Sequence, residues 1–121
     1  MHELSVAVEL VELALAEARR LGDVHVVAVH LRLGPLAGVV EPALQFSFDV
    51  AAAGTTLEGA RLEIEHEPAV AWCVTCRQAQ TLPSILQRRC PVCDQPTPEL
   101  VAGDSLELTH LEIIDHATPD P

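Results

Sequence analysis

Residues 73–93 read CVTCRQAQTLPSILQRRCPVC and contain all four cysteines of the chain. The cysteines form two pairs, Cys73-Val74-Thr75-Cys76 and Cys90-Pro91-Val92-Cys93, with thirteen residues between them. Each C-x2-C turn brings two thiolates to one side of a tight loop, and two such turns facing each other make a tetrahedron. This spacing points to a four-cysteine zinc site with Zn–S bonds of about 2.3 Å. Arg77, Arg88 and Arg89 would offset the charge of an ion held by four thiolates. Two disulfides are a competing reading, but no secretion signal accompanies the pairs and the context reads as reducing. A thioredoxin-like redox pair needs its C-x-x-C at a helix start within a βαβ unit, which is missing here. Rubredoxin-like iron uses similar ligands at a much longer interval. Four thiolates close the coordination sphere, so the ion is expected to be structural rather than catalytic.

The charge changes around this stretch. Residues 68–103 carry Arg77, Arg88 and Arg89 against Asp94 and Glu99, a balance of +1. The remainder holds four Arg and sixteen acids, a balance of −12 within the total of −11. Such a shift suggests two lobes: a zinc-binding domain over 68–103, and a second domain built from 1–67 and 104–121. A lobe of about 36 residues cannot bury enough apolar surface to fold alone, so metal binding is expected to be coupled to its folding.

Outside the lobe the apolar periodicity sets the elements. Leu4, Val8, Val11, Leu15 and Ala18 recur at helical spacing, and Gly22 supplies a stop, giving a helix over about 3–21. From Val24 to Leu33 the pattern alternates, with Val27, Val29, Leu31 and Leu33 on one face. Pro42 suits a first helical position, and Leu44, Phe48 and Ala51 continue a short helix that ends at Gly54. Arg61 to Glu67 reads as a strand with Leu62, Ile64 and His66 on one face and a solvated stripe of Glu63, Glu65 and Glu67 on the other. A last strand covers about Leu106 to Asp115, its apolar phase slipping between Leu108 and Leu111 as at a bulge. The tail from Ala117 to Pro121 is Pro-rich and expected to fray. The fold class is therefore α+β: a small three-stranded sheet with two helices, plus an inserted four-cysteine zinc-ribbon lobe.

Composition excludes several functions. Eighteen acids oppose seven bases, all of them Arg, which argues against nucleic acid or an anionic membrane as partner. No apolar run approaches the ~20 residues of a membrane span, so the chain reads as cytoplasmic. Phe46, Phe48 and Trp72 are the only aromatics, which leaves an aliphatic core. No open metal site, nucleophile–base pair or G-x-x-x-x-G-K loop supports an enzyme.

The start of the chain carries a second constellation. In Met1-His2-Glu3 an imidazole lies one residue from the terminal amine. A cation held by that amine, the His2 backbone nitrogen and the His2 Nδ1 closes a five-membered and a six-membered chelate ring. Planar nitrogen donors of this kind suit Ni(II) or Cu(II). Alone, a His at position 2 is most often incidental to a solvated terminus. His25, His30, His66, His110 and His116 lack a partner at metal spacing or fall in strands and the tail, where a structural role is the commoner one.

Taken together, Met1-His2-Glu3-Leu4-Ser5 and the paired cysteine motifs resemble the HypA/HybF family, the nickel metallochaperones of NiFe-hydrogenase maturation. The resemblance continues through Gly34-Pro35-Leu36-Ala37-Gly38-Val39, the Pro42 helix with Phe46 and Phe48, Gly54-Thr55, Glu58-Gly59-Ala60, Leu62-Glu63-Ile64 and Gly103-Asp104-Ser105-Leu106. It implies a nickel-binding α/β lobe with an inserted zinc lobe, and no enzymatic activity. It makes His2 the essential nickel ligand, helped by the Met1 amine and backbone nitrogens near His2 and Glu3, with Glu3 supporting the site or a partner's docking. It further implies transfer with a HypB-like GTPase to the hydrogenase large subunit, urease maturation proteins in some members, and a monomer or weak homodimer. The family often carries Gly after the second Cys of each pair, where this chain has Arg77 and Asp94. The alternative is a zinc-ribbon protein–protein interaction module with no nickel role.

Overall fold

Eight elements follow in chain order: α1 (Glu3–Leu21), β1 (Val24–Leu33), α2 (Glu41–Ala52), β2 (Arg61–His66), β3 (Val70–Cys73), β4 (Gln78–Thr81), β5 (Leu100–Ala102) and β6 (Leu106–Asp115). The structure is a computed structural model that describes residues 2–22, 24–97 and 99–115. Met1, His116 and the tail through Pro121 therefore lie outside the described residues.

α1 forms because Ala7, Leu10, Val11, Ala14 and Ala18 line one buried stripe at helical spacing. Of the expected stripe, Val11 and Ala18 are buried and Leu15 packs against the core, whereas Leu4 and Val8 are exposed, because the small alanines that a reading of large apolar residues passes over take the inner face. Glu3 in its first turn and Arg19 and Arg20 in its last turn complement the helix dipole. Gly22, at φ 98°, ends it and donates its N–H to the Arg19 carbonyl at 3.2 Å. α2 carries Pro42 in its first turn and buries Leu44, Phe48 and Ala52, one residue per turn. β2, β1 and β6 form a sheet in that order, with β1 central. The helix stripes, the inner faces of β1 and β2, and Leu57 and Ala60 together make one aliphatic core around Phe48.

The face of β1 differs from the one its alternation predicts. The core takes Val26, Val29 and Leu31, with Val24 packed against it, so the buried phase shifts by one residue between Val26 and Val29. Val27 is only half-buried, and Leu33 is buried outside this cluster. Both faces of this central strand are largely apolar, and alternation cannot then say which of them meets the helices. In β6, Leu108 and Leu111 both pack against the core although three residues apart, which is the predicted phase slip.

A second sheet runs β4-β3-β5. β3 pairs antiparallel with β4 from Val70↔Thr81 to Cys73↔Gln78, so this hairpin ends at the first cysteine. β5 pairs with the other edge of β3, with a register shift between Val70 and Ala71. The chain divides into two compact units: Met1–Leu31, Val39–Ile64 and Leu108–Pro121 in one, Arg32–Gly38 and Glu65–Glu107 in the other. Within the second unit, Gly34 donates to the Ser105 carbonyl and Leu36 to the Gly103 carbonyl, each at 2.8 Å. A Cβ at Gly34 would lie 2.2 Å from the Gly103 carbonyl oxygen, so only glycine permits this crossing. Glu67 fixes the same crossing by accepting the N–H groups of Gly103 and Ser105, each at 3.1 Å. Among the described residues, no helix is long and apolar enough to cross a membrane.

Candidate metal centre

The four cysteines converge as the spacing predicts. Cys73 ends β3, Cys76 lies in the turn toward β4, and Cys90 and Cys93 sit on the segment leading to β5. Each pair closes the same kind of knuckle. Arg77 donates its N–H to the Cys73 carbonyl and Asp94 its N–H to the Cys90 carbonyl, both at 2.8 Å. Inside each turn, N–H groups aim at the first sulfur: Cys76 N–H at Cys73 Sγ (3.3 Å), and Val92 and Cys93 N–H at Cys90 Sγ (3.4 and 3.5 Å). Arg77 (φ 54°) and Asp94 (φ 64°) adopt the left-handed backbone of the glycine that the family often has there.

All four Sγ atoms lie within 4.8 Å of one another. Across the knuckles, Cys73 Sγ and Cys93 Sγ are 3.5 Å apart, and Cys76 Sγ and Cys90 Sγ 3.8 Å. Two ligands each about 2.3 Å from a tetrahedral centre stand about 3.8 Å apart, so the donor set fits such an ion. All four cysteines are free, which removes the disulfide reading. Cys73 and Cys90 are buried, whereas Cys76 and Cys93 are half-buried. Crowding the sulfurs splits their acidities. Hydrogen bonding with Cys93 and burial push the Cys76 thiol up to about 12. Burial also raises Cys90, but the N–H groups of Cys93 and Val92 outweigh it and bring that thiol down to about 7. A cation entering this site must displace protons, which makes its binding pH-dependent.

At the other candidate site, His2 is the exposed N-cap of α1, and its carbonyl accepts the Val6 N–H at 2.9 Å. Its side chain makes no capping hydrogen bond. Glu3 Oε2 accepts the N–H of Val40, the N-cap of α2, at 3.0 Å. That bond holds the Glu3 carboxyl below its ordinary value and ties the first turn of α1 to the start of α2.

Two groupings escaped the sequence. His30 and His110 stack, ring centroids 3.9 Å apart and 17° from parallel, and His30 Nε2 meets the Glu112 carboxylate. Arg61 stands 3.7 Å from the same carboxylate, so the group is a cross-strand ion-pair ladder on the sheet. Among the described residues, only the cysteines bring three or more potential metal ligands together. The second missed group is Glu67, read as part of a solvated stripe but bonded to Gly103 and Ser105. Nothing in its alternating pattern signals partners 36 and 38 residues away.

Comparison with known proteins agrees along nearly the whole chain. A family model described as "Hydrogenase/urease nickel incorporation, metallochaperone, hypA" matches residues 1–113. The hydrogenase maturation factor HypA of Roseiflexus sp. (strain RS-1) is 51% identical over 120 residues, covering 99% of this chain and 97% of that protein. HypA of Salmonella typhimurium is 37% identical over 113 residues, covering 93% and 96%. In fold, the chain resembles the solution structure of the Ni metallochaperone HypA from Helicobacter pylori, with a TM-score of 0.65 at 20% identity, covering 96% of this chain and all of that one.

Proposed function

The chain belongs to the HypA family of hydrogenase maturation factors, nickel metallochaperones rather than enzymes, and on that premise we propose that it carries Ni(II) at its N-terminus and is stapled by zinc. The nickel ligands are the Met1 amine, the His2 backbone nitrogen and imidazole, and the Glu3 backbone nitrogen. The zinc ligands are Cys73, Cys76, Cys90 and Cys93. The unit holding α1 and α2 is then the nickel-binding domain, and the cysteine lobe the zinc-binding domain.

The observation that carries the nickel reading is the placing of His2. It is exposed at the first turn of α1 and its side chain is not spent on capping, while the next residue is fixed to α2 through Val40. A donor set anchored on one side and open on the other can surrender its ligands one at a time, which delivery requires. Nickel is cargo here. Zinc, bound by four thiolates with no open position, supplies only structure. Four soft sulfurs at tetrahedral spacing support zinc there, whereas planar nitrogen donors support nickel at the terminus. A HypB-like GTPase and the hydrogenase large subunit are the proposed partners in the cytoplasm, with urease maturation as a second destination.

Titrating Ni(II) into the zinc-loaded, untagged chain should give one nickel per chain with a diamagnetic, planar-type absorption band. His2→Ala and an N-terminal extension should each abolish that band. Unchanged uptake in both variants would move the site elsewhere. No specific uptake in any version would leave the zinc-ordered interaction module.

A further inference from the structure

α2 is apolar on two sides. Leu44, Phe48 and Ala52 are buried in the core. The opposite side carries Pro42, Phe46, Asp49, Val50 and, at the C-cap, Ala53, all of them exposed. They recur at spacings of three and four residues, so helical geometry sets them in one stripe. Phe46 is 71% exposed and Val50 51%. A surface helix keeps charged and polar residues on its solvent side, and here that side holds a single one, Asp49. Lone exposed apolar residues are ordinary, but an aromatic ring with Pro42 one turn before it and Val50 one turn after it is a ridge of the kind that anchors a helix in a groove. Phe46 serves neither the core, nor the cysteine cluster, nor the N-terminal donor set.

We propose that the outer stripe of α2, with Phe46 as its anchor, docks into an apolar groove of a partner protein whose rim carries Lys or Arg. Asp49 selects that occupant. It lies within the stripe, so covering the ridge takes its carboxylate out of water, and a buried charge left unpaired is costly. None of the ion pairs among the described residues gives it a cation. The chain around it offers none either, because residues 39–60 contain Glu41, Asp49 and Glu58 but no Arg, Lys or His. The partner must therefore bring the cation. A second copy of this chain would present the same acidic helix. The unit that carries α2 also holds twelve acids against three Arg, a balance of −9, so two copies repel each other while a basic rim is drawn in. A helix that lies on a bilayer carries Lys and Arg on its polar face, and α2 has neither. α2 alone forms this surface, so failure of the nickel reading would leave it standing.

The probe is a short labelled peptide of leucine and lysine, its leucines at helical spacing so that they make one stripe between lysine rims. Its anisotropy is followed against the zinc-loaded full chain, beside a peptide of the same composition in scrambled order, which has the charge without the stripe. The striped peptide should bind and the scrambled one should bind at least tenfold more weakly. Phe46→Ser should weaken binding about tenfold. Asp49→Asn should weaken it about threefold and make it less sensitive to salt. Phe46→Ser should keep the parent's zinc content and thermal midpoint, since the ring is exposed and Ser and Phe have similar helix propensities, which separates docking from folding. Val50→Ser, on the same stripe, should also weaken binding and gives an independent reading. Amide shifts on binding should cluster at Phe46, Asp49 and Val50. No binding, equal affinity for the two peptides, equal affinity in all variants, or shifts elsewhere would overturn the proposal. So would sedimentation of the chain alone as a dimer that Phe46→Ser splits, which would assign the stripe to a second copy, or binding to phosphatidylserine vesicles that depends on Phe46.

Discussion

Among the described residues, the unit built on α1 and α2 gathers fourteen buried apolar side chains in one core, Phe48 among them, whereas the cysteine lobe gathers three, Ala69, Ala71 and Leu82. The first is held by burial that any compact arrangement of its helices and sheet would reward. The second has strands of three or four residues and too little apolar surface to outweigh its conformational entropy. Four sulfurs at tetrahedral spacing are placed where the proposed zinc would make up the difference. On that proposal one chain contains two routes to stability, a core and a staple, and each should fail in its own way.

The largest effect should come from the staple. Cys90→Ser, or removal of the ion by a strong chelator, should cost the lobe its order, since structural zinc contributes about 10–16 kcal/mol of apparent binding free energy in small zinc domains. Amide signals from β3, β4 and β5 should collapse toward unfolded positions while those of α1 and α2 persist. If the helices melt together with the lobe, the two units are not separately stabilised.

A smaller and opposite effect should follow from the core. Phe48 is fully buried, and Phe48→Ala should destabilise the helical unit by about 3–5 kcal/mol. Denaturant unfolding followed by far-UV circular dichroism would measure it. The zinc content of the folded variant should not change, and loss of zinc in step with the core would break the comparison.

The smallest effect concerns the Glu67 crossing. Its carboxyl is held below the ordinary value chiefly by the Ser105 side chain, and further by the N–H groups of Ser105 and Gly103. A depressed folded-state value means a contribution present above the unfolded pKa of about 4.3 and lost as pH falls through the folded one. Glu67→Gln should thus be less stable than the parent near neutrality, and the two should converge in acid. Because acid also strips thiolate-bound metal, the quantity to follow is the difference between variant and parent across pH. A difference that does not change with pH would mean that the charge of Glu67 plays no part.

Legibility in the sequence followed the range of the interactions. The C-x2-C pairs were readable because each is a local turn with a fixed demand on its residues, and the bounds of the helices because apolar residues recur every turn, although in α1 Leu4 and Val8 proved exposed and Ala7, Leu10 and Ala14 took the inner face. The first-turn position of Pro42 and the stop at Gly22 were readable for the same local reason. The face of β1 was not, since Val26, Val27, Ala28 and Val29 offer apolar side chains to both sides. Nor was the tie from Glu3 to Val40, or the stacking of His30 on His110, because each joins residues far apart in the chain.

The sequence by itself determined the four cysteines that converge in the lobe, the order of helices and strands in the other unit, and the excess of acid outside residues 68–103. Each is a property of neighbours along the chain: a turn, a period, a local balance of Arg and acid. Only the tertiary structure decided which face of β1 meets the helices, that Glu67 closes the Gly34–Gly103 crossing, and that Arg77 takes a left-handed backbone. Those outcomes depend on what packs opposite each residue, and partners brought together by folding leave no periodicity in the chain.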